Sequence, residues 1–165
     1  MKIEIAEAEG RDLPGITAIY NDAVLRSVAT FDTEPRSDEG QRAWLRSHDE
    51  RHPVIVARAA GEVVGWASLN EFLPKAAYAA TVEDSVYVKE GWQRRGIGRL
   101  LLARLIEMAR ERGHHAIVAR IADHMTASIA LHKALGFVEA GDLREVGRKF
   151  DRWIDVTLME LTLAG

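Results

Sequence analysis

The sequence contains no cysteine, and this absence excludes a disulfide framework, a thiolate metal site and a catalytic thiol. No segment approaches roughly 18 consecutive apolar residues, and the N-terminal stretch MKIEIAEAEGRDL has no apolar signal core. The net charge is only −3, so no overall positive field favours nucleic acid as a partner. We therefore expect a cytoplasmic protein that binds neither a membrane nor nucleic acid.

A metal site is not expected either. His114 and His115 precede a predicted strand, so their side chains should point to opposite faces of the sheet. The four tryptophans are scattered along the chain, a distribution that favours packing over the stacking of bases.

The length of 165 residues predicts a single domain, residues 1–165, with a substantial core. Strands and helices do not alternate strictly, and this order favours an α+β fold with a mainly antiparallel sheet. Asp12 and Ser37 are predicted to cap two helices, the second of which should run to about His52. Strands are predicted at 3–6, on both sides of a turn at 60–61, at 81–88, from 116, within 137–143 and at 153–163, and further helices from about 98 to 112 and from 126 or 128 to 135.

The segment GWQRRGIGRLLLARL, residues 91–105, combines glycines and arginines at the start of a predicted helix. Backbone N–H groups at a helix N-terminus lack intrahelical partners, and the helix dipole adds positive potential there. Glycine allows a phosphate to approach the backbone closely, and Arg94, Arg95 and Arg99 supply counter-charges. The segment therefore predicts a phosphate-binding loop.

Two common phosphate loops do not fit this segment. A Walker A loop needs lysine and a hydroxyl residue after its second glycine, and Ile97 and Gly98 stand at those places. A dinucleotide-binding fingerprint needs a third glycine where Leu101 stands.

A third pattern, Q/R-x-x-G-x-G/A between a strand and a helix, is matched by Gln93, Gly96 and Gly98, and here the chain resembles the GNAT superfamily of acetyl-CoA-dependent N-acetyltransferases. LHKALGF at 131–137 is similar to that family's later signature. The resemblance implies acetyl-CoA as co-substrate and a mixed, mainly antiparallel sheet of six to seven strands with about four helices. It implies as cofactor-binding residues Val86, Tyr87, Val88, Gln93, Arg94, Arg95, Gly96, Ile97, Gly98, Arg99 and Ser128.

A closer resemblance covers about residues 3–162. The segments NDAV at 21–24, FDTEP at 31–35, TVEDSVYV at 81–88 and VGRKFDRWIDVTLMEL at 146–161 are similar to the phosphinothricin/methionine sulfone (sulfoximine) N-acetyltransferase family. This resemblance implies acetylation of the α-amino group of a small amino acid analogue, and a homodimer with the strand at 153–163 as interface. Ile154, where some phosphinothricin enzymes have histidine, favours the sulfone/sulfoximine branch.

The chemistry requires a base, because an α-ammonium with a pKa of roughly 8 is mostly protonated near pH 7. Glu83 falls on the family's general-base position, with Asp84 as the second candidate. Alternation along a strand puts these acids on opposite faces, so we expect only one of them at the pocket. His132 stands where many relatives have a tyrosine that protonates the leaving thiolate, and it acts either as that acid or without a proton role. Met125 replaces the asparagine with which many relatives contact the CoA arm.

An amino acid acceptor also carries a carboxylate, so its pocket should contain a cation. Lys75 is one candidate, and Arg148 and Arg152 are others. The residues predicted to bind the acceptor are Phe31, Thr33, Lys75 and Tyr78.

Two alternatives stay open. An N-terminal protein acetyltransferase would have an open groove beside Glu83 instead of a closed pocket with a cation. A non-catalytic acyl-CoA-binding module would bind the cofactor without turnover.

Overall fold

Seven strands and four helices make up most of residues 1–163, the part of the chain that this computed structural model describes. The strands are β1 (Ile3–Glu7), β2 (Val54–Ala59), β3 (Glu62–Glu71), β4 (Thr81–Val88), β5 (Ala116–Ala122), β6 (Val138–Lys149) and β7 (Arg152–Thr162). The helices are α1 (Leu13–Arg26), α2 (Asp38–Arg46), α3 (Ile97–Glu111) and α4 (Thr126–Ala134), with short 3-10 turns at Gly10–Asp12 and Ala76–Tyr78. None of the helices in the described part of the chain has the length and apolar composition to cross a membrane.

The strands form one sheet in the order β1-β2-β3-β4-β5-β7-β6. Every neighbouring pair is antiparallel except β4 and β5, which run parallel. That parallel pairing covers only Thr81–Glu83 against Ala116–Val118, and the two strands separate beyond it. The predicted α+β class, the mainly antiparallel sheet and the number of helices are confirmed.

Helices cover both faces of the sheet. Helix α3 places Leu101, Leu102 and Leu105, all fully buried, against one face. Helix α1 buries Ile16 and its neighbours beside Trp66 on the other face. Each large apolar side chain removed from water stabilises the fold by about 1.5–3 kcal/mol, so the two layers hold β4 firmly between them.

The sequence predicted the cap of α2 correctly and its end wrongly. Ser37 Oγ accepts a hydrogen bond from the backbone N–H of Gly40 at 3.0 Å. The helix ends at Arg46 and not near His52, because polar side chains bind the backbone of the following turn. Asp49 Oδ1, for example, accepts hydrogen bonds from the backbone N–H groups of Arg51 and His52, both at 3.0 Å.

Asp12 does not cap α1 with its side chain. The carboxylate is buried and binds the Arg58 guanidinium through two hydrogen bonds, of 2.9 and 2.7 Å, and it accepts a third from the backbone N–H of Glu9. The arginine, together with these hydrogen bonds, holds the pKa of Asp12 below its usual value although burial acts in the opposite direction. Asp12 stands where a helix cap is expected, but its carboxylate binds Arg58, which is distant in the sequence.

Candidate active site

A long groove of about 1130 Å³ lies between the second half of β4, the start of α3 and the start of α4. Arg95 is the predicted cofactor residue that does not line it, and the Arg95 guanidinium lies over the ring of Trp92 at 4.7 Å from the centroid. The predicted residues that do line the groove are Val86, Tyr87, Val88, Gln93, Arg94, Gly96, Ile97, Gly98, Arg99 and Ser128.

The loop at the mouth of this groove has a conformation that suits an anion. Gly91, Arg94 and Gly96 have positive φ angles of 87°, 63° and 80°. Gly96 immediately precedes α3 and, lacking a side chain, leaves the first amides of that helix without a side-chain acceptor. Gln93 ties the loop together, since its Oε1 accepts a hydrogen bond from the Gly91 N–H at 3.2 Å. The loop, the amides and the arginines thus fit the phosphates of a nucleotide cofactor such as CoA.

The two glycines of the motif meet different requirements. At Gly96 a side chain would have open space around it, but the left-handed backbone disfavours one. At Gly98 the backbone is helical, and an added Cβ would meet Leu131 at an ordinary 3.4 Å. Only the first glycine is therefore required by the backbone of the loop.

A smaller, deeper cavity of about 370 Å³ lies where β4 and β5 separate, under the segment 28–31. It adjoins the groove, because Ala29, Val86, Tyr87, Met125 and Ser128 line both spaces. A molecule in the cavity would therefore meet the end of a molecule in the groove beside the middle of β4.

Glu83 borders this cavity, with less than a quarter of its side chain exposed. Burial raises the pKa of Glu83, while the nearby Arg120 guanidinium acts in the opposite direction and the charge of Asp84 adds to the rise. The backbone around Glu83 is fixed by Asn70, whose Nδ2 donates to the Glu83 carbonyl and to Ser85 Oγ, both at 3.1 Å. The arrangement gives a positioned carboxylate with increased basicity.

Both acids of TVEDSVYV border the cavity, so the expectation that only one would do so was wrong. Their side chains do lie on opposite faces of β4, as strand alternation requires. However, the gap between β4 and β5 opens the sheet at this point, and the cavity is reached from both faces. Strand alternation separates two neighbouring side chains only where the sheet is continuous.

Asp84 forms a buried pair with His132. Its Oδ2 lies 2.8 Å from His132 Nε2, and the two side chains are only 2% and 5% exposed. His132 Nδ1 lies 2.7 Å from the Ser128 carbonyl, which can only accept, so Nδ1 carries a proton. Burial lowers the pKa of His132, but the hydrogen bond and charge of Asp84 outweigh it and the pKa is raised. The pair joins residues 48 positions apart, and no local pattern in the sequence indicates it.

One side of the cavity is formed by the segment before α2. Phe31 lines it and packs on Gly147, where any Cβ would overlap the ring. Lys149 is buried and donates to the carbonyls of Ser27 and Thr30, at 2.7 and 2.8 Å, and so fixes the segment to β6. The other predicted acceptor residues, Thr33, Lys75 and Tyr78, are not among the residues that line either space.

The cation beside Glu83 is Arg120, on β5, and not one of the three predicted. Arg120 is the only arginine or lysine that lines the cavity within the described part of the chain. Arg152 is engaged in two hydrogen bonds with Asp123, and Arg148 lies over the ring of Trp153. An arginine inside the apolar strand AIVARIA was the available signal in the sequence.

Among residues 1–163 no group of three or more histidine, aspartate or glutamate side chains is arranged to hold a metal ion. His48 and His52 are four residues apart but follow the end of α2 and bind different partners, Asn70 and Asp49.

Comparison with known proteins agrees with this geometry. The family model for the acetyltransferase (GNAT) domain matches residues 5–158. The L-methionine sulfoximine/L-methionine sulfone acetyltransferase of Pseudomonas aeruginosa is 44% identical over 165 residues, covering 99% of this chain and 96% of that protein.

Solved structures are similar to this chain as well. A GNAT superfamily phosphinothricin acetyltransferase from Sinorhizobium meliloti, in complex with acetyl-CoA, superimposes with a TM-score of 0.96 at 34% identity, over 99% of this chain and 90% of that one. A ribosomal-protein-alanine N-acetyltransferase from Brucella melitensis superimposes with a TM-score of 0.95 at 43% identity, over 97% and 99% of the two chains. The chain thus belongs to the GNAT family and is an acetyl-CoA-dependent N-acetyltransferase.

Proposed function

We propose that this enzyme transfers the acetyl group of acetyl-CoA to the α-amino group of a small amino acid or analogue, of the methionine sulfone, methionine sulfoximine or phosphinothricin type. The observation that carries the proposal is Glu83, a partly buried carboxylate with a raised pKa on a cavity of about 370 Å³. That volume suits a small molecule. The names of the similar proteins from Pseudomonas and Sinorhizobium point to the same acceptors.

Each part of the site has a task in this proposal. The loop at 93–99 and the start of α3 hold the pyrophosphate of CoA, and the end of β4 from Val86 to Val88 lines the space for its pantetheine arm. When bound, acetyl-CoA supplies an activated acetyl thioester. The backbone N–H near Val88 polarises the thioester carbonyl.

Glu83 takes a proton from the acceptor's ammonium group, and the resulting amine attacks the acetyl carbon. Positioned base catalysis of this kind contributes about 10²–10⁴-fold. The C–S bond then breaks, and the leaving thiolate takes a proton from the Asp84–His132 pair, in which the proton on Nε2 is shared with Asp84. The second proton of the attacking nitrogen restores the pair. The nitrogen of the acceptor thus loses its proton on one face of β4, while the proton donor is held on the other.

We also propose a homodimer that uses the β6–β7 hairpin. β6 is an edge strand of the sheet, and its residues from Val138 to Val146 are exposed. Around the turn of the hairpin large apolar side chains stand in solvent, a patch typical of an interface. These exposed side chains are Leu143, Val146, Phe150 and Trp153.

A thiol-release assay with acetyl-CoA tests the acceptor class. The acceptors are methionine sulfone, methionine sulfoximine, phosphinothricin, ordinary amino acids and a peptide with a free N-terminus. We expect turnover of small amino acids or analogues and little of the peptide. Cofactor binding without turnover of any small amine would refute the proposal.

Glu83→Gln tests the base. We expect kcat to fall by about 10²–10⁴-fold near pH 7, with acetyl-CoA binding retained. In the wild type kcat/KM should fall as the pH drops through the raised pKa of Glu83, since the carboxylate is then protonated. Glu107→Gln is the matched control, because this exposed glutamate on α3 is also paired with an arginine and is not among the residues that line the cavity or the groove. Full turnover in Glu83→Gln would refute the assignment of Glu83 as the general base.

A second acceptor class has one specific observation in its favour, the name of the similar Brucella structure, a ribosomal-protein-alanine N-acetyltransferase. An alanine N-terminus is also an α-amine. Preferential turnover of an Ala-initiated peptide in the same assay would establish this class instead.

A further inference from the structure

We propose that Arg120 receives the carboxylate of the acceptor, and that the guanidinium leaves Glu83 to do so. The inference rests on the proposed function, and it names the residue that makes this site selective for acceptors with a free carboxylate. Four observations support it, and they concern the position, the free donors, the exposure and the electrostatic partner of Arg120.

Arg120 lies on the same face of the sheet as Glu83. Glu83 pairs in register with Val118, and Arg120 is two residues further along β5. Because side chains two apart on a strand share a face, Arg120 stands across the gap from Ser85, at the cavity wall. An α-amino acid carries its ammonium and its carboxylate on one carbon, so its two receptors must be close neighbours, and Glu83 and Arg120 are.

The guanidinium has free donors. Its contact with Glu83 is a single N···O distance of 3.7 Å, beyond the range of a hydrogen bond. Within residues 1–163 Arg120 donates no side-chain hydrogen bond, whereas Arg58 and Arg152 each bind a carboxylate through two. Five N–H groups in a planar fork are therefore available, and this fork matches a carboxylate in two parallel bonds.

The Arg120 side chain is partly exposed to solvent and lies near an aromatic ring. It is 42% exposed, and its guanidinium lies 5.3 Å from the centroid of the Phe72 ring. At an exposed site the attraction between a cation and an aromatic face is weak, so the guanidinium can leave the ring for a stronger partner. The stem is thus supported while the charged end turns toward a ligand.

The exchange of partners has a consequence for the base. Arg120 lowers the pKa of Glu83 in the free enzyme, against the effect of burial. When the acceptor carboxylate takes the guanidinium, Glu83 loses part of that stabilisation and gains a negative neighbour. Both changes raise the basicity of Glu83 at the moment when the ammonium of the acceptor lies beside it.

The test compares L-methionine sulfone with its carboxamide, which keeps the α-amine and lacks the negative charge. The measured quantity is the ratio of kcat/KM for the acid to kcat/KM for the amide, in wild type and Arg120→Gln. Comparing the two enzymes cancels the different basicities of the two amines. We expect Arg120→Gln to lower this ratio about 10- to 100-fold, the range for a lost charge-assisted hydrogen bond.

Two further variants make the result specific. Arg104→Gln is the matched control, because Arg104 is 40% exposed and paired with glutamates on the remote side of α3. Its ratio should equal that of the wild type. Lys75→Gln tests the lysine that the sequence suggested. Loss of the preference in Lys75→Gln, with the preference retained in Arg120→Gln, would overturn the inference.

Equal losses on acid and amide in Arg120→Gln would also overturn it, because they would indicate a structural role. If Arg120→Gln does not fold, the same ratio of kcat/KM for acid and amide is measured in Arg120→Lys. A single ammonium cannot reproduce two parallel bonds, so the ratio should still fall by about threefold or more. Turnover of small amino acids with an unchanged ratio would refute the role of Arg120 alone. Absence of any such turnover would refute the proposed function with it.

Discussion

Replacing Asp84 by asparagine removes one negative charge from the buried pair with His132 and changes the shape of the side chain very little. Among residues 1–163 no group forms a hydrogen bond with Asp84 Oδ1, so the second atom of the asparagine amide inherits the same surroundings. The comparison therefore isolates the charge on the pair. It does not mix that charge with a cavity or with lost packing.

The magnitude follows from the 2.8 Å contact and the burial of both side chains. Hydrogen bonds that involve charged groups contribute about 1.5–3 kcal/mol, so we expect Asp84→Asn to lower the free energy of unfolding by about 2–3 kcal/mol at pH 6. Because the folded pKa of His132 is raised above 6.5, this stabilisation is fully present below pH 6.5 and is lost as the pH rises through the folded pKa. Once His132 is neutral, its Nε2 lone pair faces the Asp84 carboxylate, whereas an asparagine amide can donate to it. The cost of the substitution should therefore shrink toward zero at high pH.

Urea unfolding of both proteins between pH 6 and pH 10 measures this difference. Asp123→Asn is the control, since its partner Arg152 keeps its charge throughout the range and the pair is exposed. The cost of Asp123→Asn should be small and nearly independent of pH, because solvent screens an exposed pair. A cost of Asp84→Asn that stays constant or grows with pH would refute the assignment of a protonated His132 facing a carboxylate.

Two further predictions concern the loop and the assembly. Gly96→Ala should weaken acetyl-CoA binding, measured by calorimetry, and lower the free energy of unfolding by about 1–2 kcal/mol, because the backbone of residue 96 is left-handed. Gly98→Ala should have neither effect, and equal effects at both positions would contradict this assignment. Phe150→Glu and Trp153→Glu should convert the proposed dimer to a monomer in analytical ultracentrifugation, and a monomeric wild type would refute the proposed interface.

The elements that the sequence predicted well are those whose signals are local. β4 was predicted with its observed bounds because its β-branched residues are bracketed by the irregular segment before it and the glycines after it. Ser37 begins α2 as expected, since a cap depends on residues only three positions apart. The start of α3 was predicted to within one residue from the motif around Gly96, where glycine, charge and the apolar run of the helix occur within a few residues.

The parts that the sequence did not predict depend on contacts across the chain. The pairing of Asp84 with His132, and of Asp12 with Arg58, joins residues tens of positions apart, and a carboxylate has no sequence pattern that names its partner. Arg120 was missed because its meaning depends on β5 lying beside β4. The gap that brings Glu83 and Asp84 to one cavity likewise depends on how β4 and β5 pair, and the sequence of neither strand alone indicates it.

The short parallel junction between β4 and β5 also has a mechanical meaning. Within residues 1–163 the strand pairing between β1–β4 and β5–β7–β6 is limited to Thr81–Glu83 against Ala116–Val118, while the core packed on α3 spans both parts. A ligand that contacts both strand edges would connect them across the gap beyond this junction. Amide hydrogen exchange of β4 beyond Glu83 and of β5 beyond Val118 should therefore slow when CoA and acceptor bind together, by more than either achieves alone. The proposed site thus lies where the backbone ladder between the two parts of the sheet ends, so bound ligands would occupy the gap that the strands leave.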